Sequence, residues 1–190
     1  MLINSYSKLV ECGTDEAGRG SIAGPVTAAA VILPRDFINV ELNDSKKLSI
    51  NKRLELREII LKKALAYSIV HIQTNTIEKI NILNASILAM NKSIDQLSIK
   101  PEFILVDGNR FNSKNNIPFK CIVNGDSKYM NIAAASILAK TSRDELMEKI
   151  SFKFPNYKWE KNKGYPTKEH REALLKYGIT VHHRKSFKLL

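Results

Sequence analysis

The feature that most constrains the fold is a series of short apolar runs that alternate with segments of helical periodicity. The runs are rich in β-branched residues, so we expect them to be strands. They cover residues 9–14, 26–33, 67–73, 103–106 and 119–123. Strands that alternate with helices indicate an α/β fold, in which helices cover both faces of a sheet.

Helices are expected between the strands and after the last one. Ser49 is a suitable cap for a helix that ends near Leu65. The residues expected on its inward face are Ile50, Leu54, Leu61 and Leu65. An amphipathic pattern over 83–97 predicts a second helix, and further helices are expected over 131–150 and 167–177.

The length and the charge suggest one basic globular unit. A chain of 190 residues without internal repeats fits a single domain, 1–190. Its net charge is +11, and the last forty residues contribute seven of these charges, so we expect 151–190 to be a basic C-terminal helical segment of that domain. A basic surface favours a polyanionic partner such as nucleic acid. A proteome-wide bias toward lysine for solubility is the alternative.

Acidic residues stand at or just beyond the ends of three expected strands: Asp15 with Glu16, Asp107, and Asp126. Because the ends of neighbouring strands converge, these carboxylates would repel one another unless a hard cation neutralises them. All are oxygen donors, and no Cys or His is arranged as a zinc site, so Mg²⁺ or Mn²⁺ is the expected ion. Two such ions could activate water for phosphoryl displacement.

Each acid also has a purely structural interpretation. Asp107 could belong to a strand-end turn, and Asp126 could favour the positive end of the next helix. Asp15 and Glu16 are harder to explain in this way, since Gly18-Arg19-Gly20 follows directly. Neighbouring strand residues point to opposite faces, so both acids can face one site only if the chain bends or bulges there.

Other segments suit contact with nucleic acid. The Gly18-Arg19-Gly20 loop allows a ligand to approach the backbone closely. Lys46 could contact phosphate, with a solvated surface loop as the alternative. Tyr165 could stack on a base or sugar, or simply pack against Pro166. His182-His183 could bind metal or phosphate, or lie in a basic, partly exposed tail.

Together these segments resemble ribonuclease HII, a bacterial branch of the ribonuclease H-like family. The resemblance covers about 11–187 and is carried by a set of short motifs. They are TDEAGRG at 14–20, AGPV at 23–26, NDSKKL at 43–48, VDGN at 106–109, GD at 125–126 with IAAASI at 132–137, AK at 139–140, RD at 143–144, KGYPT at 163–167 and HHRKSF at 182–187.

The resemblance implies a ribonuclease H-like, five-stranded mixed sheet with helices on both faces and a C-terminal helical segment. The implied catalytic, metal-holding residues are Asp15, Glu16, Asp107 and Asp126. The implied substrate-binding residues are Gly18, Arg19, Gly20, Lys46 and Tyr165. The glycine loop would contact the ribose 2′-hydroxyl, and Tyr165 would stack on the following deoxyribose, which favours an RNA–DNA junction.

The implied activity is endonucleolytic hydrolysis of RNA in RNA–DNA hybrids and at single ribonucleotides in duplex DNA. Cleavage on the 5′ side of the ribonucleotide, with Mg²⁺ or Mn²⁺ bound as two ions, would leave 3′-hydroxyl and 5′-phosphate ends. The implied cellular roles are ribonucleotide excision and removal of RNA primers in DNA replication.

Three rival interpretations remain. Ribonuclease HIII has a similar catalytic domain but typically carries an additional N-terminal domain, whereas here about ten residues precede the first expected strand. A basic RNA-binding module without catalysis is a second. The third is metal-free cleavage by His170 or His183, which would leave a 2′,3′-cyclic phosphate and survive a chelator.

Two positions depart from the family pattern. Ser21 stands where the family often has proline and Asn124 where it often has lysine, so we expect an effect on the affinity for substrate more than on activity.

A few remaining features suggest the cellular location and the oligomeric state. The sequence has no membrane span or signal pattern, which suits a cytoplasmic protein. We expect a monomer whose apolar tail, Phe187-Leu189-Leu190, folds back on the domain. Docking of that tail to a replication partner is the alternative.

Overall fold

The computed structural model describes residues 2–43, 45 and 48–190, and a five-stranded mixed sheet lies at its centre. The strands are β1 (Glu11–Ala17), β2 (Val26–Ile32), β3 (Ala66–Ile72), β4 (Phe103–Asp107) and β5 (Phe119–Ile122). Their order in the sheet is β3-β2-β1-β4-β5. The β1–β2 and β2–β3 pairs are antiparallel, whereas β1–β4 and β4–β5 are parallel. The expected mixed sheet is confirmed.

Five α-helices accompany the sheet in the described part of the chain. They are α1 (Ile50–Lys63), α2 (Thr74–Asp95), α3 (Met130–Ser151), α4 (Trp159–Asn162) and α5 (Lys168–Tyr177), with short 3-10 helices at Gly125–Ser127 and Pro155–Tyr157. The predicted caps form: the Ser49 side chain accepts a hydrogen bond from the Lys52 N–H, and that of Thr167 accepts one from the His170 N–H. Gly178, at a φ of 75°, ends α5.

Helices cover both faces of the sheet, as β2 shows most clearly. All seven residues of β2 are buried. Ala28 and Ala30 pack in one apolar cluster with Met90 of α2, whereas Ala29 packs in another with Leu56 of α1 and with residues of α3. Alternate side chains of a strand point to opposite faces, so α2 lies on one face and α1 and α3 lie on the other.

The approach of α3 to β1 is set by small residues. The start of α3 carries three consecutive alanines, Ala133, Ala134 and Ala135, all fully buried. Gly13 in β1 lies directly against the helix backbone, since a Cβ there would sit 2.2 Å from the carbonyl carbon of Asn131. This close contact holds β1 and α3 together beside the acids that follow Gly13.

The structure corrects the predicted inward face of α1. The residues that α1 buries are Leu56 and Ile60, which are fully buried, whereas Ile50 is 66% exposed and Leu54 43% exposed. The helix carries two apolar faces, and the position of α3 decides which one is covered. Periodicity alone could not distinguish them.

The C-terminal residues fold back on the protein. Phe187 and Leu189 pack against an apolar cluster that contains Trp159 and Leu174, as expected for the tail, whereas Leu190 is exposed. No helix in the described ranges is both long enough and apolar enough to cross a bilayer.

Replacing Gly13 with Ala should destabilise the protein by about 3 kcal/mol, because the new methyl group would overlap the α3 backbone. Urea unfolding measures this change. The matched control is Gly20→Ala, where a Cβ meets nothing within 4 Å. Equal stability of the two variants would show that β1 and α3 do not pack this closely.

Candidate active site

The parallel pairing of β1 with β4 brings two of the predicted acids to the same edge of the sheet. Thr14 pairs with Val106, and continuing this register by one residue puts Asp15 beside Asp107. Both acids therefore lie at the carboxyl ends of adjacent parallel strands, where ligands commonly bind in open α/β sheets.

The structure corrects the expected position of Asp15 and Glu16, which lie within β1 rather than after it. Their register with β2 is uninterrupted, with Asp15 opposite Ala29 and Glu16 opposite Ala28, so no bulge occurs here. The two side chains therefore point to opposite faces of the sheet, Asp15 toward α3 and Glu16 toward α2. The chain turns only at Gly18, which has a φ of 91°.

Asp107 connects the two faces because it is the last residue of β4. It shares the α3 face with Asp15 by strand alternation. At the strand tip it also borders, together with Glu16, a cavity of about 270 Å³ that is closed on one side by Met90 and other residues of α2. Arg19 lies at the same cavity. The three acids thus meet around the edge of the sheet.

The electrostatics of the acids follow from this crowding. Burial raises the pKa of Asp15 well above its usual range, and the neighbouring Glu16 and Asp107 carboxylates raise it further. Burial also raises the pKa of Glu16, while Arg19, whose Nη1 lies 3.1 Å from Glu16 Oε1, opposes the shift. The repulsion between these neighbouring carboxyl groups favours either bound protons or a neutralising cation.

Asp126 is carried by a turn that Asp107 holds in place. The Gly125 N–H donates a hydrogen bond of 2.7 Å to Asp107 Oδ1, and Asp126 follows directly and is only 3% exposed. Asp126 does not cap the following helix, because Tyr129 occupies the N-cap position of α3. The structure therefore places the turn containing Asp126 against Asp107.

The loop before α1 also reaches the site. Ser45 is buried, and its hydroxyl lies 2.9 Å from the Ser136 hydroxyl of α3. Ser136 in turn hydrogen-bonds Asp15. Arg53 holds the loop by donating to the Ser45 and Leu48 carbonyls. The predicted phosphate contact, Lys46, lies outside the described residues.

Two buried arginines tie the glycine loop to neighbouring segments. The Arg143 guanidinium donates to the carbonyls of Ala23, Pro25 and Lys163 at 2.9 to 3.1 Å. It also fills the space beside Gly18, where a Cβ would sit 2.0 Å from Arg143 Nε. This contact, together with its positive φ, explains why position 18 is glycine.

Arg184 plays a similar part. It donates to the carbonyls of Arg19 and Gly24, both at 3.0 Å, and it is fully buried, as is Arg143. Burial lowers the pKa of Arg184 to about 9, and the nearby Arg143 charge contributes. In the sequence, Arg143 and Arg184 stand out only as members of the short RD and HHRKSF motifs. The basic, partly exposed tail considered as one alternative for His182-His183 does not fit His183, which is 2% exposed, whereas His182 is half-buried.

Tyr165 lies next to this arginine-bound loop. Its ring is 5.6 Å from the Arg143 guanidinium carbon and 5.9 Å from Lys140 Nζ. The preceding Gly164 carbonyl accepts a hydrogen bond of 2.9 Å from the Ile22 N–H, just after the glycine loop. Tyr165 and the Gly18-Arg19-Gly20 loop are therefore parts of one connected surface.

The acids have the chemistry of a site for a hard cation. All their donor atoms are oxygen, and their mutual repulsion would be relieved by a divalent ion. Across 2–43, 45 and 48–190, no group of three or more Asp, Glu, His or Cys side chains is already arranged to hold a metal ion. Glu16 instead pairs with Arg19 and faces away from Asp15.

The chain is similar to known proteins over nearly its whole length. The family model for Ribonuclease HII matches residues 12–190. Ribonuclease HII of Christiangramia forsetii is 58% identical over 190 residues, which cover 100% of this chain and 96% of the relative.

Solved structures share the fold. The PCNA:RNase HII complex from Archaeoglobus fulgidus contains a chain with 26% identity and a TM-score of 0.80, with 96% of each chain covered. Bst-RNase HIII in complex with Mn²⁺ matches with a TM-score of 0.71 and 18% identity over 94% of this chain and 67% of that chain.

The family model and the full-length relatives place the chain in the class of metal-dependent endoribonucleases, hydrolases that cut RNA in RNA–DNA hybrids. Within this class, the chain belongs to the ribonuclease HII family.

In EDTA at pH 7, Asp15→Asn should be more stable than the wild type by about 1–2 kcal/mol. The pKa of Asp15 is raised in the folded state, so the protein loses stability as the pH rises from the unfolded pKa toward the folded pKa, and the loss remains at higher pH. The penalty disappears as the pH falls below the unfolded value, so the advantage of Asn should vanish in acid. Urea unfolding across pH measures this, with the exposed acid variant Glu58→Gln as control. A less stable Asp15→Asn protein at pH 7 would contradict the crowding described above.

Proposed function

We propose that Asp15, Glu16, Asp107 and Asp126 are the catalytic and metal-holding residues of this enzyme. The observation that carries the proposal is the placement of Asp15 and Asp107 at the ends of adjacent parallel strands, with the pKa of both Asp15 and Glu16 raised in part by Asp107. The turn containing Asp126 adds the fourth acid beside Asp107.

Mg²⁺ or Mn²⁺, bound as two ions with the substrate, would supply the activation of water and the stabilisation of the leaving oxygen. The four acids would hold and orient these two ions at the edge of the sheet. Arg19 now neutralises Glu16, so we expect Arg19 to move to the substrate when Glu16 takes a metal ion as its partner. The Mn²⁺ complex of Bst-RNase HIII, which shares the fold, is consistent with this choice of ions.

We propose that the substrate is a duplex with a ribonucleotide followed by DNA, as well as a longer RNA–DNA hybrid. Gly18, Arg19 and Gly20 would contact the ribose 2′-hydroxyl through the backbone, and Lys46 would contact phosphate. Tyr165 would stack on the next deoxyribose. The support is the connection of Tyr165 to the glycine loop through Arg143 and Gly164.

The proposed reaction cuts on the 5′ side of the ribonucleotide and leaves 3′-hydroxyl and 5′-phosphate ends. Its cellular uses would be ribonucleotide excision and primer removal in the cytoplasm. We propose that residues 1–190 form one catalytic domain that acts as a monomer, with 151–190 as its basic C-terminal segment. Weak docking to a replication partner would use the exposed Leu190 end of the tail.

The metal-free alternative has little structural support. His170 and His183 are 0% and 2% exposed, and ring nitrogens of both take part in internal hydrogen bonds. A general acid or base must reach the reacting group directly or through one water. These histidines are therefore poor candidates for the chemistry.

Changing each acid in turn, as Asp15→Asn, Glu16→Gln, Asp107→Asn or Asp126→Asn, should lower the cleavage rate by about a thousandfold or more, because each loses a charge needed to hold the ions. Binding of an uncleaved hybrid should stay equal or become tighter, since negative charge near phosphate is removed. Gel-based cleavage and fluorescence anisotropy measure the two effects. Glu58→Gln, on the exposed side of α1, is the control. Loss of binding with cleavage retained would overturn the assignment.

Cleavage of a DNA duplex with one embedded ribonucleotide should produce a 5′-phosphorylated fragment that begins with the ribonucleotide, and EDTA should stop the reaction. Mass spectrometry of the product ends is the measurement, with an all-DNA duplex as the control. A 2′,3′-cyclic phosphate formed in EDTA would establish the metal-free route instead.

A further inference from the structure

A buried network of three aromatic side chains lies directly behind Tyr165. Trp159 and His170 are 0% exposed and His183 is 2% exposed. The Trp159 Nε1–H donates to His170 Nε2 at 3.0 Å, and the two histidine Nε2 atoms are 3.1 Å apart. His170 Nδ1 lies 2.9 Å from the backbone carbonyl oxygen of Tyr165.

These contacts determine which nitrogen of each ring carries the proton. A carbonyl oxygen can only accept, so His170 Nδ1 carries a proton and donates it to Tyr165. In the neutral ring His170 Nε2 is then an acceptor, which suits the indole N–H of Trp159. His183 Nδ1 accepts from the Thr180 N–H at 2.8 Å, so its Nε2 carries the proton and donates to His170.

The surroundings favour the neutral form of both rings. Burial lowers the pKa of His170, and it lowers the pKa of His183 to about 4, where His170 and His182 contribute. Near neutral pH the network therefore has one protonation state and one set of tautomers. The N–H groups of Trp159 and His183 share the single lone pair of His170 Nε2. A buried network with one set of tautomers restricts the orientation of its members.

The segment before α5 is held through three consecutive carbonyl groups. The Lys163 carbonyl accepts from Arg143, the Gly164 carbonyl from the Ile22 N–H, and the Tyr165 carbonyl from His170. The first two contacts tie the segment to the glycine loop region. The Tyr165 carbonyl also accepts from the Thr167 N–H at 2.8 Å, and the Tyr165 N–H donates to the Asn162 carbonyl at 2.9 Å. The contact with His170 is the side-chain hydrogen bond that ties this carbonyl to the buried aromatic network.

We propose that His170 is a positioning residue for substrate recognition: its Nδ1–H fixes the backbone of Tyr165 so that the tyrosine ring is held beside Arg143 in the orientation that receives the substrate. Trp159 and His183 serve this role by fixing the tautomer of His170. The inference rests on the proposed contact of Tyr165 with the nucleotide that follows the ribonucleotide.

The expected effect is on substrate preference and not on the chemical step. His170 donates a hydrogen bond to the backbone carbonyl of Tyr165, and its hydrogen-bond partners among the described residues do not include the acids at the edge of the sheet. Without the His170 donor, the Tyr165 ring samples more orientations, and binding of junction substrates weakens. The KM for a junction substrate should therefore rise, while kcat and the cleavage of a long hybrid should change little.

The test compares His170→Asn with His170→Leu in the full-length protein. Asparagine keeps an N–H donor near the position of Nδ1, whereas leucine has a similar volume and no donor, and both lose the acceptor at Nε2. We expect His170→Leu to raise the junction KM by about five- to tenfold, the scale of one positioning hydrogen bond, and His170→Asn to restore most of the loss. Thermal unfolding of both variants reports their stability.

A double-mutant cycle with Tyr165→Ala separates positioning from general destabilisation. If His170 acts through the tyrosine ring, His170→Leu should add almost nothing to the junction KM once the ring is gone. Equal loss in both backgrounds, or equal loss of junction and hybrid cleavage, would show a merely structural role. Tyr165→Ala with unchanged junction preference would instead refute the proposed contact of Tyr165, whatever His170 does.

A measurement on the unmodified protein covers the case in which a variant fails to fold. The ¹⁵N chemical shifts of the four histidines distinguish the two neutral tautomers. At pH 7 His170 should carry its proton on Nδ1 and His183 on Nε2. A proton on Nε2 of His170 would remove the bond to Tyr165 and overturn the inference.

Discussion

The parallel pairing of β1 with β4 is the constraint on which the candidate active site depends. It aligns Thr14 with Val106, so that the next residues, Asp15 and Asp107, end up side by side at one edge of the sheet. The close packing of α3 on Gly13 fixes that edge from one face, and α2 closes it from the other. Carboxylates placed there repel one another, and the fold holds them together at a cost in stability that a divalent cation would offset.

Buried arginines form the second part of the architecture. Arg143 and Arg184 donate to backbone carbonyls of the segment 19–25, and Arg143 also binds Lys163. Burying a guanidinium group is costly unless its N–H groups find partners. Carbonyl groups of the loops accept from all three nitrogens of Arg143 and from two of the three nitrogens of Arg184, whose Nη2 is buried without a hydrogen-bond partner among the described residues. Fixed positive charge therefore stands beside the loops proposed to bind the substrate. The carboxylates stand next to it at the sheet edge, and the two together suit an anionic backbone with bound cations.

Much of the fold could be predicted from the sequence because its signals are local. Apolar runs predicted all five strands, and side-chain caps at Ser49 and Thr167 predicted two helix starts. The inward face of α1 was wrong, because Leu56 and Ile60 are selected by contact with other elements and not by periodicity. The first strand was placed too early, because charged Asp15 and Glu16 looked like the end of a strand although β2 pairs with both.

Part of the candidate active site could also be predicted from the sequence. The four acids were predicted from their positions near strand ends, and strand pairing brings two of them, Asp15 and Asp107, side by side. The bend or bulge that Asp15 and Glu16 would need in order to face one site is absent from the described β1–β2 pairing, and Asp107 at the strand tip borders both faces. The arginines and the His170 network were missed as functional elements. Basic and histidine residues in a polar C-terminal segment look exposed until long-range contacts, such as those between 184 and 19, bury them.

The most direct test of the account is anomalous X-ray scattering from a crystal of the protein grown with Mn²⁺ and an uncleaved hybrid. The account predicts manganese peaks within coordination distance of the carboxylates of Asp15, Glu16, Asp107 and Asp126, at the edge formed by β1 and β4. Manganese bound elsewhere, with these four side chains free of metal while the phosphate backbone occupies the site, would contradict it.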